Sequence, residues 1–495
     1  MFEPTDADRL LIQARLAVAA DRIQDARAAL ERVIALEPVN PMALTLLAEL
    51  AVGRRDNAEA LRHLSQVLAV EPNFAPALFQ SARALWSAGR HTEALEASRK
   101  AQSIQPGNLE YRVQRAQLAA WMGYRAEARA MLDPLRDDAE LTTAQQAHVA
   151  SMLGEVAIIE GRSDEATRWL EQALRLDPTL VVTRMQLGLD QLRQGAFTPG
   201  WANYAARESV RHYYPDGPPR LPGAVWTGQA LSGRSIVVID DQGHGDSIHF
   251  FRFLPRLQAL GASQVTLVTF PGLERLYRQA APALTVCSAL PAGTSADFHC
   301  NSTAMLRWLG VGLDTLPAGK PYLFPPAAPR LRPPRRRGPQ VGLAWSGDPA
   351  HTRDHLRSIP AELFLGALAA VPGLTFHSLQ RDVRPADRPA LQRRRRISRA
   401  VEAAEDFADT ASLIAGMDLV VSVDTSVAHL AAAMGKPVWL VLHAVSDWRW
   451  LTDREDSPWY PTMRLFRLRG DEWGDGDLGW RPLLARVAAA LRLVR

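Results

Sequence analysis

The sequence predicts a stack of helical repeats followed by two α/β lobes with a cleft between them. Three observations predict it. Pro38, Pro72 and Pro106 stand 34 residues apart. From Ser235 onward, short β-branched runs alternate with helical patterns, and the proline-rich stretch PAGKPYLFPPAAPRLRPPRRRGP, Pro317 to Pro339, divides that alternation into two halves.

Each of the three prolines closes an apolar-periodic segment (ALEPVN, AVEPNF, SIQPGN), and Pro178 in LDPTL closes a later one. Twelve residues before these prolines stand Ala26, Ala60, Ala94 and Ala166, and twenty-four before stand Ala14, Ala48, Ala82 and Gly154. Small residues at paired positions let two helices cross closely. Ala116 and Ala128 keep the register, and the next interval carries about four extra residues near Asp133–Leu141. Period and small-residue positions together resemble the tetratricopeptide (TPR) repeat. About five repeats and a final helix pair around Thr183–Arg207 assign residues 1–210 to an all-α solenoid. Such a unit cannot bury its apolar face alone, so the repeats stack and leave a concave groove. A groove of this kind takes an extended peptide or a partner helix; bracing of the following domain, or dimerisation, is the other reading.

HYYPDGPPRLPGAVWTG, residues 212–228, ends the helical pattern and places a linker at 211–230. The first lobe, 231–325, opens with the buried-strand run Ser235–Asp240 and the loop DQGHGD. A helical pattern covers Ser247–Leu260, and strands follow at Val265–Phe270, Leu284–Val286 and Asp297–Cys300. A second linker occupies 326–339. The second lobe, 340–495, has strands at Val341–Trp345 and Leu374–Leu379 and a helix at Asp406–Gly416. It continues with the strand Leu419–Val423, a helix carrying Val427, Leu430, Ala431 and Met434 at helical spacing, a strand over Pro437–Leu442 and a helical tail over Leu478–Val494. Two Rossmann-like halves result.

A chain of 495 residues with 47% hydrophobic content supports several ordinary cores. With only Cys287 and Cys300, neither a disulfide framework nor a cysteine zinc site is expected. No run of ~18 apolar residues could span a bilayer, and MFEPTDADRL lacks a basic segment followed by an apolar one, so a cytoplasmic protein is expected. The net charge of +4 is modest, and the arginine runs 335–337 and 393–396 carry no interleaved aromatics. Linker and solvated helix explain them better than nucleic acid does. GxxxxGK[ST], HExxH, CxxC and GxSxG motifs are absent, as is a Rossmann GxGxxG with a following acidic residue, which removes the corresponding chemistries. Asp475–Asp477 (DGD) reads as a loop in a polar tail rather than a metal-binding DxD.

Four clusters carry candidate chemistry. After the strand Leu419–Val423, the turn holding Asp424, Thr425, Ser426 and His429 lies at the carboxyl edge of a parallel sheet, where helix N–H groups favour an anion. Against this, Asp424 or Thr425 can be read as a helix cap and His429 as an ordinary surface histidine. Gly243, His244 and Gly245 precede Asp246 at a strand-to-helix turn, where a carboxylate can accept a proton from an incoming hydroxyl; the competing reading makes Asp246 a helix cap. Ser346 and Gly347 begin a loop carrying Arg353 and Arg357, which suit the oxygens of a phosphate unless they are solvated loop charge. Finally Trp448, Trp450, Trp459 and Tyr460, with Asp447, Arg449, Arg454 and Glu455, form either a sugar or base contact or a packed corner.

GHGD at 243–246, VGLAWSG at 341–347, DFADTASLIAGMDLVVSVDTSVAHLAAAMGKPVW at 406–439 and DWRWLTDREDSPWYPTMRLFR at 447–467 together resemble the bacterial TPR-containing glycosyltransferases. These have a GT-B fold related to the ADP-heptose:lipopolysaccharide heptosyltransferases and include flagellin glycosyltransferases. The resemblance implies an inverting, metal-independent transfer of a sugar from a nucleotide-sugar to an acceptor, with no cofactor. It matches Asp246 to the family's proposed general base and the turn of Asp424, Thr425, Ser426 and His429 to the segment holding donor phosphate and ribose. Arginines stand where heptosyltransferases usually place a lysine, so donor chemistry does not carry over. The TPR region implies a protein acceptor; in the flagellin branch this is a flagellin Ser or Thr, modified with a nonulosonic acid such as pseudaminic acid. Two alternatives remain in view: a non-catalytic TPR and GT-B adaptor, and a lipopolysaccharide or heptosyl-type transferase.

Overall fold

The computed structural model describes residues 5–209, 220–317, 319–334, 337–349, 351, 353–469, 472–473 and 479–494. The expected loop at Asp475–Asp477 lies outside them. Two compact units are present, one running through Glu160 and taking in Arg168–Thr179, the other comprising Gly161–Thr167, Leu180–Ser209 and the described residues from 220 onward.

In the first unit, the helices Asp6–Ala19, Ile23–Leu36, Pro41–Gly53, Asn57–Val70, Ala75–Ser87, His91–Ile104, Leu109–Trp121 and Arg125–Leu132 form successive packed pairs, followed by Thr143–Ile159. The small residues picked out by the 34-residue period are sealed: Ala14, Ala26, Ala48, Ala60, Ala82, Ala94, Ala116 and Ala128 have no exposed surface. A larger side chain there would hold the crossing helices apart. The turn inside each pair passes through a left-handed residue at the same spacing, Asp21, Arg55, Gly89 and Gly123, with φ of 61°, 63°, 76° and 86°. Side chains of Asn40, Asp56 and Asn108 cap the helices that follow them. Ion pairs Arg27–Glu59 (3.2 Å) and Arg99–Glu127 (2.6 Å) link successive repeats. The extra residues near 133–141 form a short 3₁₀ turn, Asp133–Leu135, before a Thr142–Gln145 capping box restarts the helix.

The solenoid boundary expected at 210 moves. Helices Val181–Arg193 and Phe197–Tyr204 belong to the second unit. Their contact residues explain why: where repeats present alanine, this pair presents Phe197, Trp201 and Tyr204, all buried. The Trp201 indole N–H donates to the Val311 carbonyl at 2.8 Å, and its ring meets Trp448 edge-on at 5.0 Å. The pair itself is tight, since a Cβ on Gly188 would fall 2.4 Å from the Tyr204 nitrogen.

Two parallel sheets make up the rest. The first lobe holds β1 (Ala224–Val225), β2 (Ser235–Ile239), β3 (Gln264–Val268), β4 (Thr285–Cys287) and β5 (Phe298–Asn301), in the order β1-β5-β2-β3-β4. The second holds β6 (Gln340–Ala344), β7 (Thr375–Ser378), β8 (Leu419–Val423), β9 (Val438–Leu442) and β10 (Met463–Arg467), in the order β10-β9-β8-β6-β7. Strand β1 sits inside the expected 211–230 linker, paired Ala224 to Phe298. Strand β10 was not expected as a strand. Its two arginines hide the apolar alternation, yet it pairs in full with β9, Met463 to Val438 through Arg467 to Leu442. The proline-rich stretch is partly built in: Tyr322 and Leu323 N–H groups both donate to the Ala433 carbonyl, at 2.9 and 3.3 Å, and Leu323 is fully buried. The tail forms helix Trp480–Leu491, packed on helix Ala361–Leu368 and β10 of the second lobe. No helix among the described residues is long and apolar enough to cross a membrane.

Candidate functional site

The chain leaves β2 and β8 at the carboxyl edges of their sheets, and each enters a helix after a short turn: His244–Phe251 after β2, Ser426–Ala433 after β8. These helices pack directly on one another across the two lobes. Gly245 is the contact point. A Cβ there would lie 2.9 Å from Cδ2 and 3.6 Å from Nε2 of His429, so only a residue without a side chain permits this approach.

Asp246 stands in the first turn of its helix. Its Oδ2 accepts from the Gly243 N–H at 2.9 Å, so it does help cap the helix. Its Oδ1 accepts from Nη2 of Arg449 at 2.5 Å, and a quarter of the side chain (25%) remains open to solvent. Arg449 also donates to Asp447 at 2.7 Å and lies 4.5 Å over Trp448 and 5.0 Å over Phe250. Burial works against the charge of Arg449, but the carboxylates of Asp447 and Asp246 outweigh it and hold its pKa raised. Asp447 moves upward by desolvation, opposed by Arg449.

His244 does not reach the ligand side of the turn. Its ring lies between Phe270 at 4.5 Å and Phe407 at 5.1 Å, joining the lobes by packing, and burial lowers its pKa.

At the β8 turn, Thr425 is the cap, accepting from the Val427 N–H at 3.2 Å. Asp424 has another duty: its Oδ2 accepts from the Trp450 indole at 2.8 Å, while Oδ1 stands 3.7 Å from Nε2 of His429. Burial raises the Asp424 pKa, but His429 and Trp450 overcome that and lower it. Far from being a surface histidine, His429 is buried, with its ring stacked on Trp450 at 5.3 Å and its Nδ1 2.9 Å from the Tyr460 hydroxyl. Ser426 begins the helix and is half-buried.

The loop after β6 lies beside this turn. Ser346 is buried, its N–H bonded to Gln380 at 3.1 Å, while its hydroxyl has no protein partner among the described residues. Gly347 leaves room for the Arg357 guanidinium, whose carbon would sit 2.7 Å from an added Cβ. Arg357 makes only long contacts, 3.4 Å to the Asp354 carboxylate, 3.4 Å to the Asp424 carbonyl and 3.3 Å to that of Asp348. His351, on the same loop, is solvent-exposed yet lowered to about 4 by the protein crowded around it and by Arg357 and Arg353, with Asp246 and Asp424 opposing. One imidazole thus senses charges from three of the four clusters.

Trp448 and Trp450 present no open face for a sugar or base. Trp448 is enclosed by Phe197, Trp201 and Trp459, and Trp450 by His429 and Tyr460. The packed-corner reading holds for both rings, while Arg449 and Asp447 point into the site. After Trp450 the chain passes through Leu451 at φ 55°, ψ −163°, a conformation nearly confined to glycine that costs about 1–3 kcal/mol. Arg467 fastens this corner by donating to the carbonyls of Trp450 and Arg454 and to Ser446.

Residue reasoning alone missed His249, His351, Arg384 and Arg467 altogether. Arg384 anchors the β6 loop through Asp354 at 2.6 Å, the Gly347 carbonyl at 2.9 Å and Ser358 at 3.0 Å. His249 lies one helical turn beyond Asp246, and that spacing was the available signal.

Tetratricopeptide repeat families match residues 13–52, 45–108 and 147–180. The family Glycosyltransferase family 9 (heptosyltransferase) matches residues 388–449. This chain joins tetratricopeptide repeats to a glycosyltransferase family 9 segment. That family 9 segment contains the Asp424–His429 turn and Arg449, while Asp246 and the Ser346–Arg357 loop lie outside it. Protein FlbA of Caulobacter vibrioides (strain ATCC 19089 / CIP 103742 / CB 15) is 28% identical over 329 residues, covering 61% of this chain and 53% of FlbA. The chain thus spans about half the length of that curated relative. Among solved structures, the thermophilic TPR protein TTC0263 of Thermus thermophilus aligns with TM-score 0.33 and 22% identity over 38% of this chain and 99% of its own. The type IV pilus biogenesis factor PilW aligns with TM-score 0.33 and 18% identity over 42% and 94%.

Proposed function

We propose that this chain is an inverting glycosyltransferase of GT-B architecture, moving a sugar from a nucleotide-sugar to a hydroxyl of a protein acceptor held by the TPR groove. One observation carries the reading. Asp246, from the helix start of the first lobe, and the Asp424–His429 turn of the second lobe converge across Gly245, with Arg353 and Arg357 beside them.

The donor phosphate would lie at the start of helix Ser426–Ala433, where backbone N–H groups, the Ser346 hydroxyl, without a partner among the described residues, and Arg357 can meet its oxygens. The acceptor oxygen attacks the anomeric carbon, the nucleotide leaves with the bonding electron pair, and the acceptor proton passes to Asp246. Arg449 orients that carboxylate from the opposite lobe. In this reading the leaving phosphate is stabilised by the chain's own arginines and helix start, with no resident metal. The similarity of the motifs to flagellin glycosyltransferases makes a flagellin Ser or Thr the first acceptor to try.

A second reading, a binding platform without catalysis, draws on the partners already held by both oxygens of Asp246. Intact-mass analysis of candidate acceptors, flagellin first, from cells with and without this protein separates the two. A sugar increment that appears only with the protein supports transfer. Nucleotide binding with neither an increment nor donor hydrolysis supports the platform.

A further inference from the structure

The Tyr460 side chain is buried, and its hydroxyl lies between two histidines from different lobes. It is 2.9 Å from Nδ1 of His429, on helix Ser426–Ala433, and 3.2 Å from Nδ1 of His249, on helix His244–Phe251. A phenol carries one proton, so it can donate to only one of these nitrogens, and the other ring must supply its own proton. The Tyr322 hydroxyl, 3.4 Å away, donates to the Ile248 carbonyl at 3.0 Å and accepts from Arg252 at 2.8 Å, and its second lone pair offers Tyr460 a longer contact than either histidine does.

With the phenol proton on one of the two shorter contacts, to a histidine, two neutral arrangements satisfy this count. In one, Tyr460 donates to His429, whose own proton then sits on Nε2, 3.7 Å from the Asp424 carboxylate. In the other, His429 donates from Nδ1 and turns the bare lone pair of Nε2 toward that carboxylate, which is repulsive. A doubly protonated His429 would also suit Asp424, but it would add positive charge beside the Arg252 guanidinium, 4.3 Å over the Tyr460 ring. His249 is wholly buried against Trp459, Trp448 and Phe253, and its Nε2 has no partner among the described residues. Burial, helped by Arg252, lowers its pKa well below the ordinary value, so its single proton is free to serve Tyr460 from Nδ1.

We propose that Tyr460 is a positioning residue whose hydroxyl donates to Nδ1 of His429 and accepts from Nδ1 of His249, holding His429 in the tautomer that presents an Nε2–H at the β8 turn. The functional half of this inference rests on the donor-site reading. There the Nε2–H is shared between Asp424 and a donor oxygen, so a first-lobe histidine helps set the donor capacity of a second-lobe histidine.

Long-range proton–nitrogen correlation spectra of the full chain with labelled histidine read the tautomer directly and need no ligand. His429→Gln identifies the resonance. The expected result is a protonated Nε2 and a bare Nδ1 on His429; a protonated Nδ1, with or without Nε2, overturns the proposal. Tyr460→Phe is expected to shift those resonances toward mixed tautomers, and an unchanged tautomer in that variant likewise overturns it. For whichever of ADP, UDP or CMP binds wild type, Tyr460→Phe should lower affinity about tenfold. If none of the three binds wild type, the donor-site reading fails, and the spectra still decide the tautomer.

Discussion

The repeat unit and the two-lobe unit differ in how far along the chain their contacts reach. Between repeats, Arg27 meets Glu59 across 32 positions and Arg99 meets Glu127 across 28. In the two-lobe unit, Trp201 meets Val311 across 110, Asp246 meets Arg449 across 203 and His249 meets Tyr460 across 211. A repeat settles its packing with its neighbour, so one altered position is felt locally. The candidate site exists only when distant segments meet, so small changes at the meeting point should have large effects on ligands.

The largest expected effect tests where one regime ends. Deleting residues 1–179 removes the repeats and leaves helices Val181–Arg193 and Phe197–Tyr204 in place; the product should melt in one cooperative transition. Deleting 1–209 also removes Phe197, Trp201 and Tyr204 from the core. With about 3–5 kcal/mol at stake for one such aromatic, that product should lose its near-ultraviolet circular dichroism and its transition. An unchanged transition would return the helix pair to the repeats.

Gly245→Ala sharpens the contrast. Its methyl would press on His429 at 2.9 Å, at a cost of about 1–3 kcal/mol, and nucleotide affinity measured by calorimetry should fall tenfold or more. The matching change in a repeat helix, Gly53→Ala, meets nothing within 4 Å and should stabilise by about 0.5–1 kcal/mol in urea unfolding.

The same contrast decides what could be read from residues alone. The repeats were legible because burial there recurs with the period: every alanine singled out by spacing has no exposed surface. The two sheets were legible wherever an apolar run was unbroken, as in β2 and β8, and illegible in β1, two residues long, and in β10, interrupted by Arg464 and Arg467. At the site, residues on strand-to-helix turns could be picked out, but their duties could not. His429 proved buried, Thr425 rather than Asp424 caps the helix, and His244 and the two tryptophans pack. Apart from the Thr425 cap, which is local, each of those outcomes depends on a side chain more than 20 positions away, which spacing does not encode.

Asp240 offers a pH-dependent test inside the two-lobe unit. Burial pushes its carboxyl up to about 6 from 3.8, against hydrogen bonds from Ser247, Thr269 and Ser302. The folded chain therefore binds this proton more tightly than the unfolded chain. Its contribution to stability is complete below about pH 4 and declines as pH rises to about 6, by at most about 1.4 kcal/mol per unit. Denaturant unfolding of Asp240→Asn should lack that decline between pH 4 and 6. A similarly small effect is expected at a repeat turn: Gly89→Ala, at φ 76° with open space around it, should cost about 1 kcal/mol, all of it in the backbone.

The most direct test of a carboxylate from one lobe acting on a donor held by the other is Asp246→Asn, with nucleotide affinity and sugar transfer measured on the same preparation. The prediction is unchanged nucleotide affinity with transfer reduced by about a hundredfold to ten-thousandfold. Transfer at the wild-type rate would contradict it.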